Sequence, residues 1–234
     1  MEEGWLVAAM IEIQYNGGRF GNHLIQLSCA AAIANKFKQN ISNPFSQNII
    51  QIPKFEDTKY DKTLVIDDSN VAELFLLDKI DFNISLRGFL QLEQCVQKFI
   101  KYNKFASTNM KDATFVHLRL DDLLKLGFSL PFEYYDSALS SMSHNRIILS
   151  TDSPNHDIVK KIQEKYSIDM YFGDETATIL LGASCKKKIL SQGTFSWWIG
   201  FINNETTEKT IYPDVNKRRM FCGDIFSSRG WTSF

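Results

Sequence analysis

The chain has 234 residues, of which 44% are hydrophobic and 23% charged; this is enough for one large domain or two small ones, and it excludes a disordered chain or a stapled peptide. Lys plus Arg is 26 and Asp plus Glu is 27, a net charge of −1, so the positive excess of a general nucleic-acid binder is missing. Four scattered cysteines (Cys29, Cys95, Cys185, Cys222) form no CxxC pair, which removes sequence support for zinc, and the apolar surroundings of Cys29, Cys95 and Cys185 predict buried thiols in a reducing compartment.

In chain order, MEEGWLVAAM is acidic first and apolar for only a few residues, unlike a secretion signal. No apolar run reaches the roughly 18 residues of a membrane helix. The expected location is therefore cytoplasmic, and the sequons at Asn40, Asn83 and Asn204 read as chance matches. Ile11–Tyr15 reads as a strand that enters Asn16-Gly17-Gly18-Arg19-Phe20-Gly21-Asn22 and then a helix carrying Leu24, Ile25, Leu27, Ala31, Ile33 and Phe37. Thr63–Ile66 and Ser85–Leu90 read as strands, and Glu93–Tyr102 has helical spacing. The polar stretch Lys101–Lys111 is the expected boundary, dividing the chain into halves 1–108 and 109–234. Ala113–Leu118 is a near-continuous apolar run, as in a strand covered on both faces. Arg146–Ser150, Met170–Phe172 and Lys188–Ser191 repeat the strand signal, with helical stretches at Asn155–Tyr166 and Thr176–Cys185. Strands alternating with helices predict βαβ units, hence an α/β fold with mainly parallel sheets.

In open α/β sheets ligands bind beyond the carboxyl ends of strands, so the strand exits are the candidate sites. The first is the Gly-rich loop with Gly17, Gly18 and Gly21. It gives GGxxG rather than GxGxxG, and no acidic residue follows about 20 positions on, which argues against an NAD site; a tight structural turn is the other reading. The second is His117-Leu118-Arg119-Leu120-Asp121-Asp122. Arg119 offers a fork of donors to a phosphate with Asp122 holding it, or the two simply pair at the sheet end; His117 shares a strand face with Arg119. The third is Ser191–Trp198, where hydroxyls and helix-start N–H groups make a phosphate cradle, or where Thr194 caps a helix whose Phe195, Trp197 and Trp198 fill the core. A fourth, Leu149–Pro154, reads as a strand end with Asp152 as the N-cap of the following helix. The basic clusters Lys186–Lys188 and Lys217–Arg219 read as solvated faces.

Taken in order, NGGRFGN, RGFLQLE, VHLRLDD, LSTDSP and ILSQGTFSWW resemble the motif series of the α-1,2-fucosyltransferases, glycosyltransferase family 11, over roughly residues 10–213. The family's H-x-R-x-x-D falls on His117, Arg119 and Asp122, its S-F-S-W-W stretch on Gly193 to Trp198 (including Thr194, Phe195 and Ser196), and its early G-R-[FL]-G-N-Q on Gly18, Arg19, Phe20, Gly21, Asn22 and His23.

The resemblance implies a GT-B-type fold of two Rossmann-like halves facing a cleft, with the acceptor on the side of residues 1–108 and the donor on that of 109–234. It further implies a GDP-fucose donor, a glycan acceptor, inversion at the anomeric carbon and no metal or other cofactor. Arg119, Thr194 and Phe195 would hold the diphosphate; Arg19 and Asn22 would lie near the donor, and Phe20, Gly21, His117, Asp152, Thr178, Gly193 and Ser196 belong to the same expected donor-binding set. Candidates for the acceptor's base are Asp122, His23 and Asp121. Adjacent pairs Asp67-Asp68 and Asp121-Asp122 lack the D-x-D spacing of a metal-dependent transferase, since neighbouring strand residues point to opposite faces. Three positions depart from the family pattern: Leu120 stands where a second arginine is usual, Thr178 where relatives place an acid for guanine, and His23 where Gln is usual. Leu120 and Thr178 favour the competing expectations of a nucleotide-sugar-binding protein without turnover, or of a different sugar nucleotide.

Overall fold

The computed structural model describes residues 10–15, 18–42, 44, 52, 54–56, 60–102, 110, 112–214 and 230–233. Asn16 and Gly17 of the first loop, most of the polar stretch expected as a boundary, the Lys217–Arg219 cluster and Cys222 lie outside the described residues. The chain divides into two compact units, Met1–Lys104 and Phe105–Phe234.

In the first unit, β1 (Met10–Ile13), β2 (Asn40–Ile41), β3 (Thr63–Ile66) and β4 (Asn83–Leu86) form a parallel sheet in the order β2-β1-β4-β3 among the described residues. Helix α1 (Phe20–Phe37) follows β1 and buries Leu24, Ile25, Leu27, Cys29 and Ile33; the short α2 (Val71–Leu74) follows β3, and α3 (Glu93–Tyr102) follows β4. Cys29 of α1 and Cys95 of α3 are buried free thiols with sulfurs 3.8 Å apart. The strand expected over Ser85–Leu90 begins and ends earlier. Gly88 has φ +91° and Leu90 φ +52°, a left-handed geometry that breaks the ladder, and the Asp68 carboxylate accepts the N–H groups of Phe89 and Leu90 at 3.0 and 2.6 Å.

In the second unit, β5 (Ala113–Leu118), β6 (Arg146–Thr151), β7 (Ile168–Tyr171), β8 (Lys187–Ile189), β9 (Lys209–Tyr212) and β10 (Thr232–Ser233) pair in parallel in the order β10-β9-β8-β5-β6-β7 among the described residues. Crossover helices fill the faces: α4 (Asp121–Lys125), α5 (Phe132–Ser140), α6 (Asp157–Lys165), α7 (Glu175–Ser184) and α8 (Thr194–Phe201). Every residue of the central β5 is buried. Its alternation sorts the two faces. Val116 and Leu118 join Tyr135, Leu139, Val159 and Ile162 of α5 and α6 in one core. Phe115 points the other way, against Gly182 of α7 and toward Ile199 of α8, where a Cβ on residue 182 would collide with it. His117, two residues on, therefore faces α8.

Two expectations change here. Asp152 is not the N-cap of the helix after β6: α6 starts at Asp157 and His156 caps it, its Nδ1 accepting from the Ile158 N–H at 3.2 Å. Lys188 is not part of a solvated face but fully buried, because the middle of β8 lies inside the sheet. Its ammonium donates to the Ile202 carbonyl (3.3 Å) and the Thr207 hydroxyl (2.8 Å) just beyond α8, and burial pushes its pKa down to about 8. Helix α5 and strand β9 carry no separate expectation from the sequence; Tyr134 of α5 secures its place by donating from its hydroxyl to the Leu190 carbonyl at 2.7 Å. No described helix is long and apolar enough to cross a membrane.

Candidate active site

In the first unit the loop between β1 and α1 is tight. Gly18 has φ +82°, and a Cβ there would strike the Asn22 side chain. Arg19 takes the extended N-cap position, its carbonyl accepting the N–H groups of Asn22 (2.8 Å) and His23 (3.1 Å). Arg19 is exposed and Gly21 buried; Phe20 opens the helix. The Asn22 Oδ1 is buried without a hydrogen-bond partner among the described residues, and the His23 ring meets Tyr15 edge-on with centroids 5.1 Å apart.

The second unit gathers the exits of three neighbouring strands. The register pairs Leu118 of β5 with Thr151 of β6, so Arg119 and Asp152 leave the sheet side by side. Arg119 bends onto Asp122 in a two-pronged pair: Nε donates to Oδ1 at 3.1 Å and Nη2 to Oδ2 at 2.5 Å. Its third nitrogen, Nη1, lies beside Gly193 at the N-terminus of α8, which follows β8 on the other side of β5. Gly193 has φ +102° and brings no capping side chain, and Thr194, expected as the cap, is instead the first residue of the helix. The first-turn N–H groups of a helix have no partners within it, and they carry the positive end of its dipole. A guanidinium nitrogen and a helix N-terminus thus lie side by side, an arrangement of the kind that attracts anions.

His117 lies behind this point. Its Nδ1 is 2.5 Å from the Ser196 hydroxyl of α8, and its ring lies tilted 32° to that of Phe195, with centroids 5.0 Å apart. Burial, with the Arg119 charge adding, pushes its pKa down to about 3, so the imidazole is neutral across the physiological range. Trp197 and Trp198 are fully buried, as the core-filling reading of that stretch requires, with Trp197 stacked on Phe201.

Asp152 contacts the segment after Arg119: its Oδ1 accepts from the Leu120 N–H at 2.9 Å and from the Asp121 N–H at 3.3 Å. Asp121 itself pairs with Lys125 at 3.3 Å on the surface of α4. Thr178 is buried in α7, its hydroxyl donating to the Gly173 carbonyl at 3.4 Å, while Asp174 caps α7 through the Ala177 N–H at 2.7 Å. The structure thus brings His117, Arg119, Asp122, Asp152, Gly193, Thr194, Phe195 and Ser196 together around the β5, β6 and β8 exits, and sets Thr178 in the packing of α7. The sequence carried no signal for the contact of Asp152 with a loop 31 residues earlier. Among the described residues, no group of three or more His, Cys, Asp or Glu is gathered as a metal site.

A model of glycosyl transferase family 11 matches residues 92–233 of the chain. No curated protein matches it. Among solved structures, the chain is similar to NodZ α-1,6-fucosyltransferase soaked with GDP-fucose, with a TM-score of 0.60 at 13% identity over 91% of this chain and 97% of that one. It is likewise similar to selenomethionine-labelled NodZ fucosyltransferase from Bradyrhizobium, with a TM-score of 0.59 at 14% identity over 91% and 96% of the two chains. NodZ co-crystallised with GDP gives 0.60 at 13% identity over 88% and 95%. At this identity the likeness is one of fold, the α/β, GT-B-like architecture expected from the motif series.

Proposed function

Since the chain belongs to glycosyltransferase family 11, we propose that it transfers L-fucose from GDP-fucose to a hydroxyl of a glycan acceptor, with inversion and without a metal. The observation that carries this reading is the convergence of Arg119 Nη1 and the α8 N-terminus at Gly193, a place to gather the charge of a diphosphate. In the transfer, the acceptor oxygen forms a bond to the fucose anomeric carbon while the bond from that carbon to the β-phosphate oxygen breaks. The electron pair stays on the phosphate and the acceptor's proton leaves to a base or to water. The negative charge that develops on the leaving diphosphate is met by the guanidinium charge at Arg119 Nη1 and by the first-turn N–H groups of α8, which need no reorganisation at that moment.

The proton acceptor is less well supplied in this unit. Asp122 has both oxygens on Arg119, His117 is neutral and hydrogen-bonded, and Asp121 pairs with Lys125. An oxocarbenium-like transition state asks little of a base, and His23 of the first unit stays a candidate. The α-1,2 linkage rests on the order of motifs; NodZ, which shares the fold, is an α-1,6 enzyme.

The deciding experiment offers GDP-fucose, GDP-mannose, UDP sugars and dTDP sugars in parallel, with and without a chelator, and measures nucleotide release. Release from GDP-fucose alone, unchanged by chelator, is expected; release from another donor, or loss with chelator, overturns the donor or the metal-free part. Binding without any turnover favours the second reading, a nucleotide-sugar-binding protein, for which Leu120 in place of a second arginine is the specific observation.

A further inference from the structure

We propose that Asp152 is a positioning residue for Arg119, holding the backbone between the arginine and its partner Asp122 through a hydrogen-bonded clamp on Leu120 and Asp121. This rests on the reading of Arg119 as the diphosphate ligand and deepens it.

Arg119 follows the last residue of β5, where ladder bonds end, and α4 begins only at Asp121. The two peptides between them have no regular partner for their N–H groups. Parallel pairing places Asp152 one residue past β6 at the same level, and its Oδ1 takes both N–H groups, at 2.9 Å from Leu120 and 3.3 Å from Asp121. The Leu120 side chain is fully buried in the core with Leu118, Leu130 and Tyr134, so this residue is held by packing on one side and by the carboxylate on the other. The Arg119 and Asp122 α-carbons flank this held segment, and the two-pronged fit of their side chains depends on the relation between them. A carboxylate would repel a diphosphate directly, but one whose Oδ1 accepts two backbone N–H groups, with the Ser153 hydroxyl a longer third donor at 3.4 Å, improves the site by fixing its arginine. A loop with neither fastening would let the guanidinium sample orientations away from α8, which weakens binding without removing any ligand contact.

The clamp needs an acceptor oxygen, not a charge. Asp152→Asn retains the oxygen, whereas Asp152→Ala removes it. Two readouts separate the clamp from the function. The first is amide hydrogen exchange at Leu120 and Asp121 by NMR in the ligand-free protein, which asks nothing of the ligand. The second is the Kd for GDP by calorimetry, for Asp152→Ala alone and combined with Arg119→Ala. Exchange at both amides should rise about tenfold in Asp152→Ala and stay near wild type in Asp152→Asn. The Kd should weaken by about three- to tenfold in Asp152→Ala, recover in Asp152→Asn, and show no further loss when the alanine change is added to Arg119→Ala. Asp152→Ser, whose hydroxyl is too short to reach both amides, replaces the alanine variant if that does not fold.

Unchanged exchange in Asp152→Ala overturns the clamp. Protected amides with lost GDP affinity in Asp152→Asn overturn the positioning role, because the carboxylate would then touch the ligand itself. If the wild-type protein binds no GDP, the donor reading fails, and the exchange data alone decide whether the clamp exists.

Discussion

The Nη1 of Arg119 occupies the space that a Cβ at position 193 would need. Gly193 also sits at φ +102°, a geometry that side chains rarely adopt. The residue therefore has two separate reasons to be glycine, its backbone geometry and the space taken by Arg119. Gly193→Ala must push the guanidinium aside or move the start of α8. We expect about 1–2 kcal/mol of lost stability from the backbone term, and a loss of nucleotide affinity beyond what that destabilisation explains. Chemical denaturation beside calorimetric titration with GDP checks both; full GDP affinity in the alanine variant would mean that Arg119 does not work from this position.

Arg119 contributes more than charge. Its guanidinium sets two nitrogens on Asp122 and the third beside the α8 N-terminus, which a point charge on a flexible stem cannot reproduce. Arg119→Ala is expected to lower kcat by roughly 10²–10³, the usual effect of removing one preorganised donor at a developing charge, or about 3–4 kcal/mol. Arg119→Lys should recover little of it. Sugar transfer by Arg119→Ala at near the wild-type rate would remove the arginine from the mechanism.

His117 makes the native state sensitive to acid. Its pKa falls from 6.5 in the unfolded chain to about 3 in the folded protein, because burial disfavours the imidazolium and the Arg119 charge adds to that. Above pH 6.5 both states hold a neutral ring and nothing is lost. As pH falls through 6.5 toward 3, the unfolded chain takes up a proton that the folded one refuses, and stability drops by up to roughly 4 kcal/mol. Urea unfolding between pH 4 and 8 should show this decline in the wild type and a smaller one in His117→Asn. The same reasoning predicts no ionisation near pH 6.5 in kcat/KM that disappears in His117→Asn; finding one would make this ring a proton carrier.

The parts legible in the sequence were those governed by local pattern. Ala113–Leu118 is apolar throughout because β5 is central, and its bounds coincide with the apolar run. Glu93–Tyr102 shows its amphipathic spacing directly. Arg119 and Asp122 could be paired because they stand three positions apart across the start of α4. What stayed hidden depends on distant chain. Lys188 reads as surface charge beside Lys186 and Lys187, yet the order β9-β8-β5 encloses it. Asp152 reads as a helix cap because Ser153 and Pro154 follow it, while the register of β5 against β6 turns its carboxylate to Leu120 instead. The Cβ-sized space at Gly193 exists only once Arg119 has been placed there.

Asp122 separates two roles that a catalytic carboxylate can take. A general base needs an oxygen free to accept the acceptor's proton, and losing one typically costs 10²–10⁴ in rate. An orienting carboxylate needs both oxygens on the guanidinium, as here, with Oδ1 on Nε and Oδ2 on Nη2. Asp122→Asn keeps a single acceptor and turns an amide N–H₂ toward one of the donors, so one prong of the fork is lost and the ion pair becomes a neutral contact. The orienting role then predicts a donor KM raised about tenfold with kcat lowered by a smaller factor, and an unchanged acidic limb of the pH profile. The base role predicts the opposite split: kcat reduced by more than 10² at unchanged donor affinity, with the acidic limb abolished. Steady-state kinetics at varied GDP-fucose, repeated from pH 5 to 9, distinguishes them, and the two-pronged geometry favours the first result.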